Sequence, residues 1–394
     1  MNLRHLFLNH VAQTSDSPVG IQIKKARGIY ITTLDGKKYI DLISGISVCN
    51  VGHRNDAVVK AIRNQSSKYL HTMVYGEHIQ FPQVKLAQLL ASLLPETLNF
   101  TYFTNSGTEA TEGAMKLAKR YTGRTNFVAM KNAYHGSTQG ALSLMSDTYF
   151  SEAYRPLLPG ISFMDYNDLS QINLIDKNTA GVFVEIVQSE AGYISGELLF
   201  LKALETKCRE TGALLIVDEI QTGIGRTGSL FAFENAGIVP DVLLLAKGLG
   251  GGMPIGCFIA DKKIMMVLSE NPVLGHLTTF GGHPISCAAA NATLHEISSK
   301  KLLEPIAQKE QLFRKRLVHP KIEKITGKGL MLGVHLGSEK RVKHVIAICH
   351  QNGVLIDWFL FNASALRIAP PLIIGNGEIN KVCKIILKAL DETF

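Results

Sequence analysis

Lys247 closes an aliphatic run, DVLLLAK (241–247), and the nine residues after it, GLGGGMPIG, include five glycines. A buried strand has no use for an amine at its end. Either Lys247 caps the strand and points into water, or a nucleophilic amine stands at the floor of a cleft with bare backbone around it. Two other aliphatic runs also end on polar residues. ALLIVDE (213–219) carries Asp218 and Glu219 with Gln221 just beyond, and AGVFVEIVQSEAG (180–192) carries Glu185 and Gln188. Upstream, FTNSGTEA (103–110) sets Ser106, Gly107 and Thr108 before a helix-like stretch, where hydroxyls and free N–H groups favour an anion such as phosphate. Together, a phosphate cradle, a strand-end carboxylate and a strand-end lysine suit a flat phosphorylated aldehyde bonded through its carbonyl to the lysine.

Each feature alone has a plainer reading. Ser-Gly-Thr can be an ordinary N-cap, a strand-end Asp a surface ion pair, and a Gly-rich loop a turn. Two rivals fail on pattern. GLGGGMPIG does not fit G-x-G-x-x-G, with Pro254 where the first helical turn would run, and no G-x-x-x-x-G-K-[ST] occurs.

These residues need a scaffold, and the middle of the chain alternates in the required way. NFVAM (126–130), AGVFVEIV (180–187), ALLIVDE, DVLLLAK and GCFIAD (256–261) read as strands, with helix-like stretches at 108–121 and 198–212. That rhythm predicts a mainly parallel sheet covered by helices, whose ligands bind beyond the carboxyl ends of the strands. Residues 20–48 read as a small antiparallel meander turning at Asp35-Gly36. A long helix from about residue 284 leads into a mixed α/β tail. We expect an N-terminal segment (1–50) that joins a C-terminal unit (286–394), and a large domain (51–285) between them.

With 46% hydrophobic and 19% charged residues, the 394-residue chain is long enough for two core-bearing units. The net charge of +8 arises from short basic pairs without interleaved aromatics, which argues against nucleic acid. No apolar run approaches a membrane span, and MNLRHLFLNHVAQTSDS lacks an apolar leader core, so the expectation is a cytoplasmic protein without membrane partners. The six cysteines form no C-x-x-C pair, so no metal site is expected.

The motif LLIVDEIQTGIGRTG (214–228), followed by PDVLLLAKGLGGGMPIG (240–256), resembles the class III (ω-)aminotransferases of the fold type I family. The resemblance runs from about residue 15 to the end. It implies pyridoxal 5'-phosphate as cofactor, with Lys247 as covalent anchor and proton carrier and Asp218 on the pyridine nitrogen. It implies further that Gln221 meets the phenolic oxygen, that Tyr134 and Ile220 cover the ring faces, and that Ser106, Gly107 and Thr108 hold the phosphate. His135 and Glu185 join the cofactor-binding set. Thr279 resembles a residue contributed by the neighbouring subunit, which implies a homodimer with shared sites. Arg367 resembles the arginine that grips the α-carboxylate of glutamate or 2-oxoglutarate, and Glu190 its partner when an ω-amine is bound.

The resemblance thus implies transfer of an amino group from an acetylornithine- or ornithine-like ω-amine to 2-oxoglutarate. One departure bears on the donor. The arginine that usually follows the Tyr134-His135-Gly136 triplet, and grips a distal carboxylate, is Ser137 here, which raises 4-aminobutyrate, diamines or other ω-amines as alternatives. An aminomutase or decarboxylase on the same cofactor, and a non-catalytic binding protein, are the rival classes.

Overall fold

The computed structural model describes residues 3–393. After a first helix (Leu3–His10), three short antiparallel strands follow: β1 (Ile23–Arg27), β2 (Tyr30–Thr33) and β3 (Lys38–Asp41). Next come β4 (Phe100–Thr104), β5 (Asn126–Met130), β6 (Ile161–Met164) and β7 (Thr179–Glu185). A two-residue pair, β8 (Val187–Gln188) and β9 (Ile194–Ser195), precedes β10 (Leu214–Asp218), β11 (Val242–Leu245) and β12 (Gly256–Ala260).

The large sheet has the order β4-β12-β11-β10-β7-β5-β6, and only β12 runs against its neighbours. All residues of β7, β10, β11 and β12 are buried, because helices cover both faces and side chains of either parity meet apolar neighbours. This is the fold type I α/β architecture. β4 and β6 lay outside the sequence reading, since FTYFT and ISFM are short runs without alternation. β11 ends two residues before Lys247, which starts a 3-10 turn with φ +39°, a left-handed conformation uncommon for a side-chain-bearing residue.

The C-terminal strands are β13 (Lys324–Gly327), β14 (Leu332–His335), β15 (Val354–Leu355), β16 (Asp357–Trp358) and β17 (Ala365–Ile368). β13, β14, β17 and β16 form an antiparallel sheet, whereas β15 adds to β3 in parallel, so the N-terminal meander closes on C-terminal chain. One apolar core under the large sheet includes Val51, Leu86, Leu215 and Leu245, and a second joins Ile29, Ile40 and Leu42 to Leu332, Val345 and Ile386.

The helix Pro284–Ser299 packs with the large sheet. Its Cys287, Ala289, Ala290, Leu294 and Ile297 belong to the core of the large sheet, because the small side chains let it lie against the helices Asp56–Ser66 and Phe81–Leu93. Arg226, wholly buried, ties the parts together, donating to Leu330 O at 3.1 Å and also bonding Pro370 O and Asn50 Oδ1.

Candidate active site

Sheet register brings the acidic strand ends together. Asp218 is the direct neighbour of Glu185 across the β10–β7 ladder, and of Leu244 across the β10–β11 ladder. Beyond these ends lies a cavity of about 530 Å³, lined among others by Ser106, Gly107, Thr108, Tyr134 and Lys247. His135, Ser137, Glu185, Asp218, Ile220 and Gln221 complete the expected residues in its wall.

The anion cradle is built by capping. Ser106, extended and outside the helix Gly107–Thr122, accepts from Glu109 N at 3.3 Å, while Glu109 Oε2 accepts from Asn105 N at 2.7 Å. Ser106, Gly107 and Thr108 at this helix start all line the cavity. Thr108 Oγ1 lies 2.7 Å from Thr138 Oγ1, and Glu112 accepts from Thr138 Oγ1, Gly140 N and Ala141 N, pinning the Tyr134–Thr138 loop above the cradle. Two glycines are required by close approach. A Cβ on Gly136, at φ +131°, would sit 2.3 Å from Thr108 Oγ1, and one on Gly256 would sit 2.1 Å from Ser106 O. The last glycine of the run after Lys247 thus lets β12 start against the cradle.

Each oxygen of Asp218 takes one hydrogen bond, which leaves further acceptor capacity. Its Oδ2 meets His135 Nδ1 at 2.7 Å and its Oδ1 accepts from Ile220 N at 2.9 Å. Burial disfavours a charge on His135, but the hydrogen bond and charge of Asp218, with Glu185, lift its pKa above the ordinary histidine value. Burial also drives the Glu185 carboxyl upward; its Oε1 accepts from Ser189 N and Oγ, and its Oε2 is buried without a partner.

Tyr193, wholly buried, donates to Gln221 Oε1 at 2.9 Å, which fixes the amide so that Nε2 is the free end. That Nε2 is buried without a partner. A buried donor without an acceptor is costly, so the site fits a group that brings an acceptor there, such as a phenolic oxygen. A strand-end carboxylate for a ring nitrogen, an N-capped cradle for a phosphate and a lysine for an aldehyde make the same fit to pyridoxal phosphate.

Lys247 lines this cavity and also a second one of about 520 Å³, shared with Tyr134 and walled by Gly45, Ile46, Glu190, Asp357, Trp358, Leu360 and Arg367. Burial lowers the Lys247 amine below the ordinary lysine value, the Glu190 and Asp218 charges oppose this, and Arg367 adds to it. Arg367 Nη2 donates to Glu190 Oε2 at 2.7 Å with both side chains nearly excluded from solvent. Glu190 Oε2 also accepts from Leu360 N at 3.1 Å. Ile46 belongs to four consecutive residues, Ser44 to Ser47, with φ between +52° and +63°. This left-handed turn is held by Asp41 Oδ1, which accepts from Ile43 N and Ser44 N. Such strain persists only where the surroundings over-determine it.

Thr279 stands apart from both cavities, exposed on the surface, with its carbonyl accepting from His71 Nε2 at 2.8 Å. Sequence reasoning missed Tyr193, Ile46, Ser189 and Asp357. No group of three or more His, Cys, Asp or Glu side chains that could hold a metal occurs among the described residues, and no described helix is long and apolar enough to cross a membrane.

The class III aminotransferase family profile matches residues 11–390. An acetylornithine aminotransferase of Methanopyrus kandleri is 40% identical over 361 residues, 90% of each chain. Another, from Archaeoglobus fulgidus, is 37% identical over 96% of this chain and 97% of its own. Among solved structures, a transaminase from Virgibacillus superposes with a TM-score of 0.93 at 26% identity, covering 100% of this chain and 99% of the other. The ornithine aminotransferase of Toxoplasma gondii gives 0.91 at 29% identity, with 98% and 93% covered. A cavity that fits pyridoxal phosphate, on this fold and with these relatives, leads to one conclusion: the chain belongs to the class III aminotransferases and is a pyridoxal-phosphate-dependent transaminase.

Proposed function

We propose that the enzyme transfers an amino group from an acetylornithine- or ornithine-like ω-amine to 2-oxoglutarate, releasing an aldehyde and glutamate. The observation that carries this reading is the position of Lys247 between two chambers, one closed by Asp218 and Gln221, the other by the Glu190–Arg367 pair. The acetylornithine aminotransferases among its relatives, 34–40% identical, support the donor class.

Pyridoxal phosphate, when bound, supplies an aldehyde that takes up the amino group and a ring that withdraws electrons from the substrate carbon. Ser106, Gly107 and Thr108 would hold the phosphate and Asp218, backed by His135, would keep the ring nitrogen protonated. Gln221 Nε2 would donate to the phenolic oxygen, while Tyr134 and Ile220 flank the ring. Lys247, whose amine burial holds below the usual lysine value, would remove a proton from the amine-bearing carbon. Glu190 neutralises Arg367 while an ω-amine, which has no carboxylate beside its nitrogen, is in place. When an oxo acid enters, its carboxylate would replace Glu190 on the guanidinium. One chamber thereby serves two unlike substrates.

Ser137 favours a second donor class. Its Oγ lies 3.0 Å from Tyr134 OH, and among the described residues walling the two cavities the only lysine or arginine side chains are Lys247 and Arg367. A donor without a distal carboxylate, such as a diamine, meets no missing partner there. The surface position of Thr279 suits a role in a second subunit's site, and we propose a homodimer working in the cytoplasm.

The test is a glutamate assay on the purified holoenzyme with 2-oxoglutarate and a panel of N-acetylornithine, ornithine, 4-aminobutyrate and 1,4-diaminobutane. Glutamate formed with N-acetylornithine or ornithine supports the main reading, and glutamate with the diamine alone moves the donor to the second class. No glutamate with any of them rejects 2-oxoglutarate as acceptor for ω-amines.

A further inference from the structure

Arg367 is held by more than its pair with Glu190. It sits on β17 directly opposite Asp357 of β16, as Cα partners in an antiparallel ladder, so their side chains share one face of the sheet. Asp357 Oδ1 lies 3.4 Å from Arg367 Nε, an ion pair too long for a good hydrogen bond. The next residue of β16 contributes its backbone, Trp358 O accepting from Arg367 Nη2 at 3.1 Å. Below the guanidinium, the Phe359 ring centre is 4.9 Å from Cζ. One three-residue stretch therefore meets the arginine at its edge, its tip and its face.

The fork is divided unequally among these partners. Nη2 serves Glu190 and Trp358 O, Nε faces Asp357 across a 3.4 Å ion pair without a hydrogen bond, and Nη1 is buried with neither. A carboxylate that replaced Glu190 would find Nη1 and Nη2 side by side and bind them end-on, the two-point geometry that arginine offers and lysine does not. That fit requires the guanidinium to stay in plane at the moment Glu190 leaves. Trp358 O, which shares Nη2 with the incoming group, and a ring face resist little rotation about the arginine's own axis. Asp357 touches the one nitrogen that the substrate does not need.

Charge points the same way. With Glu190 and Asp357 both ionised, two carboxylates would surround one cation, and the structure treats them differently. The Arg367 charge, together with the Leu360 N–H, outweighs burial and holds Glu190 below the usual range, whereas burial lifts Asp357 to about 6 despite the same arginine. Glu190 is the more firmly ionised of the two carboxyls, while the Asp357 charge also favours the cationic arginine from its Nε edge.

We propose that Asp357 is a positioning residue for the oxo-acid half of the reaction: it anchors the Nε edge of Arg367 so that Nη1 and Nη2 remain aimed at the incoming carboxylate after Glu190 releases them. The proposal rests on Arg367 being the oxo-acid site, as assigned in the preceding section. Asp357 lines the same chamber, and the role proposed for it acts through Arg367. Its chain neighbours Trp358 and Leu360 also line the chamber.

The experiment compares Asp357→Ala and Asp357→Asn holoenzymes in the two half-reactions, with 2-oxoglutarate as acid and the best amine of the panel above. For Asp357→Ala we expect the KM for 2-oxoglutarate to rise about tenfold relative to that for the amine, with kcat changing much less. Asp357→Asn keeps an oxygen facing Nε and should recover most of that loss. A purely structural role would move both halves together, and that result overturns the proposal, as does an Asn variant no better than Ala. If the Ala variant does not accumulate as folded protein, Asp357→Ser, too short to reach Nε, replaces it with the same expectation. Arg367→Gln separates the two levels of inference. If its KM for 2-oxoglutarate is unchanged, the assignment of Arg367 fails and the proposal with it; if that KM rises while Asp357→Ala leaves the ratio untouched, the proposal alone fails.

Discussion

His135 and Asp218 meet through a 2.7 Å contact between Nδ1 and Oδ2, with both side chains buried at the carboxyl end of β10. The pair holds a buried histidine in the wall of the cavity. Because the folded-state pKa of His135 is raised, its contribution to stability is complete below about pH 6.5 and fades as pH climbs through the raised value. Over the pH range in which the histidine keeps its proton, the ring donates through Nδ1 and Asp218 stays an acceptor for whatever lies before it.

Lys247→Ala removes the amine that serves both chambers. Turnover should fall by at least about 10³-fold, the scale expected when a covalent anchor and proton carrier are lost together. The check is single-turnover amino transfer to the holoenzyme, read from the visible absorption of the cofactor. Activity within about tenfold of the parent would remove Lys247 from the mechanism.

Tyr193→Phe deletes the donor that orients Gln221 and leaves a buried acceptor unpaired. The expected loss of folding stability is about 1–3 kcal/mol, measured by chemical denaturation. A functional signature should accompany it: with the amide free to turn, the pH at which the cofactor absorption changes should shift. Loss of stability with an unaltered absorption titration would confine Tyr193 to packing.

Glu190→Gln weakens the pair that neutralises Arg367 while an ω-amine is bound. We expect α-amino acids such as glutamate to gain as donors relative to ω-amines by about tenfold, since a carboxylate no longer competes with a full negative charge. The ratio of kcat/KM for glutamate to that for the best ω-amine decides it. A ratio that stays constant would mean the pair does not select between substrates.

His53 offers a clean pH test away from the chemistry. Its Nε2 lies 2.7 Å from Asp41 Oδ2, and although burial works against the charge, Asp41 and Cys49 raise its pKa to about 10. A raised pKa means stability that is full below pH 6.5 and lost as pH rises through about 10. His53→Asn should therefore cost roughly 2 kcal/mol at pH 6 and much less at pH 10, by denaturant melts at both values. An equal loss at both pH values would mean the imidazole acts through packing rather than charge.

Much of the chemistry was legible because of how a parallel sheet is covered. Helices on both faces make β7, β10 and β11 nearly unbroken apolar runs, so Glu185, Asp218 and Lys247 stand out where those runs stop. Ser106-Gly107-Thr108 was readable for a similar reason, since capping chemistry is local and its partner, Glu109, lies three residues from Ser106. The short strands Phe100–Thr104 and Ile161–Met164 escaped because five or four residues without alternation do not separate a strand from a loop. The helix Pro284–Ser299 was recognised as a helix, but its small-residue face does not say which core it joins.

The residues that only the tertiary structure could supply are those whose role depends on a neighbour far along the chain. Tyr193 acts on Gln221 across the end of the sheet, and Ile46 reaches the chamber because Asp41 holds a left-handed turn. Asp357 faces Arg367 through the register of a two-residue strand, and shifting it by one residue would turn the carboxylate to the other side. Composition and periodicity determine what a segment can bury. Register, crossover and the closure of N-terminal chain onto C-terminal strands decide which polar side chains then share a cavity, and those are set by the packing of the whole chain.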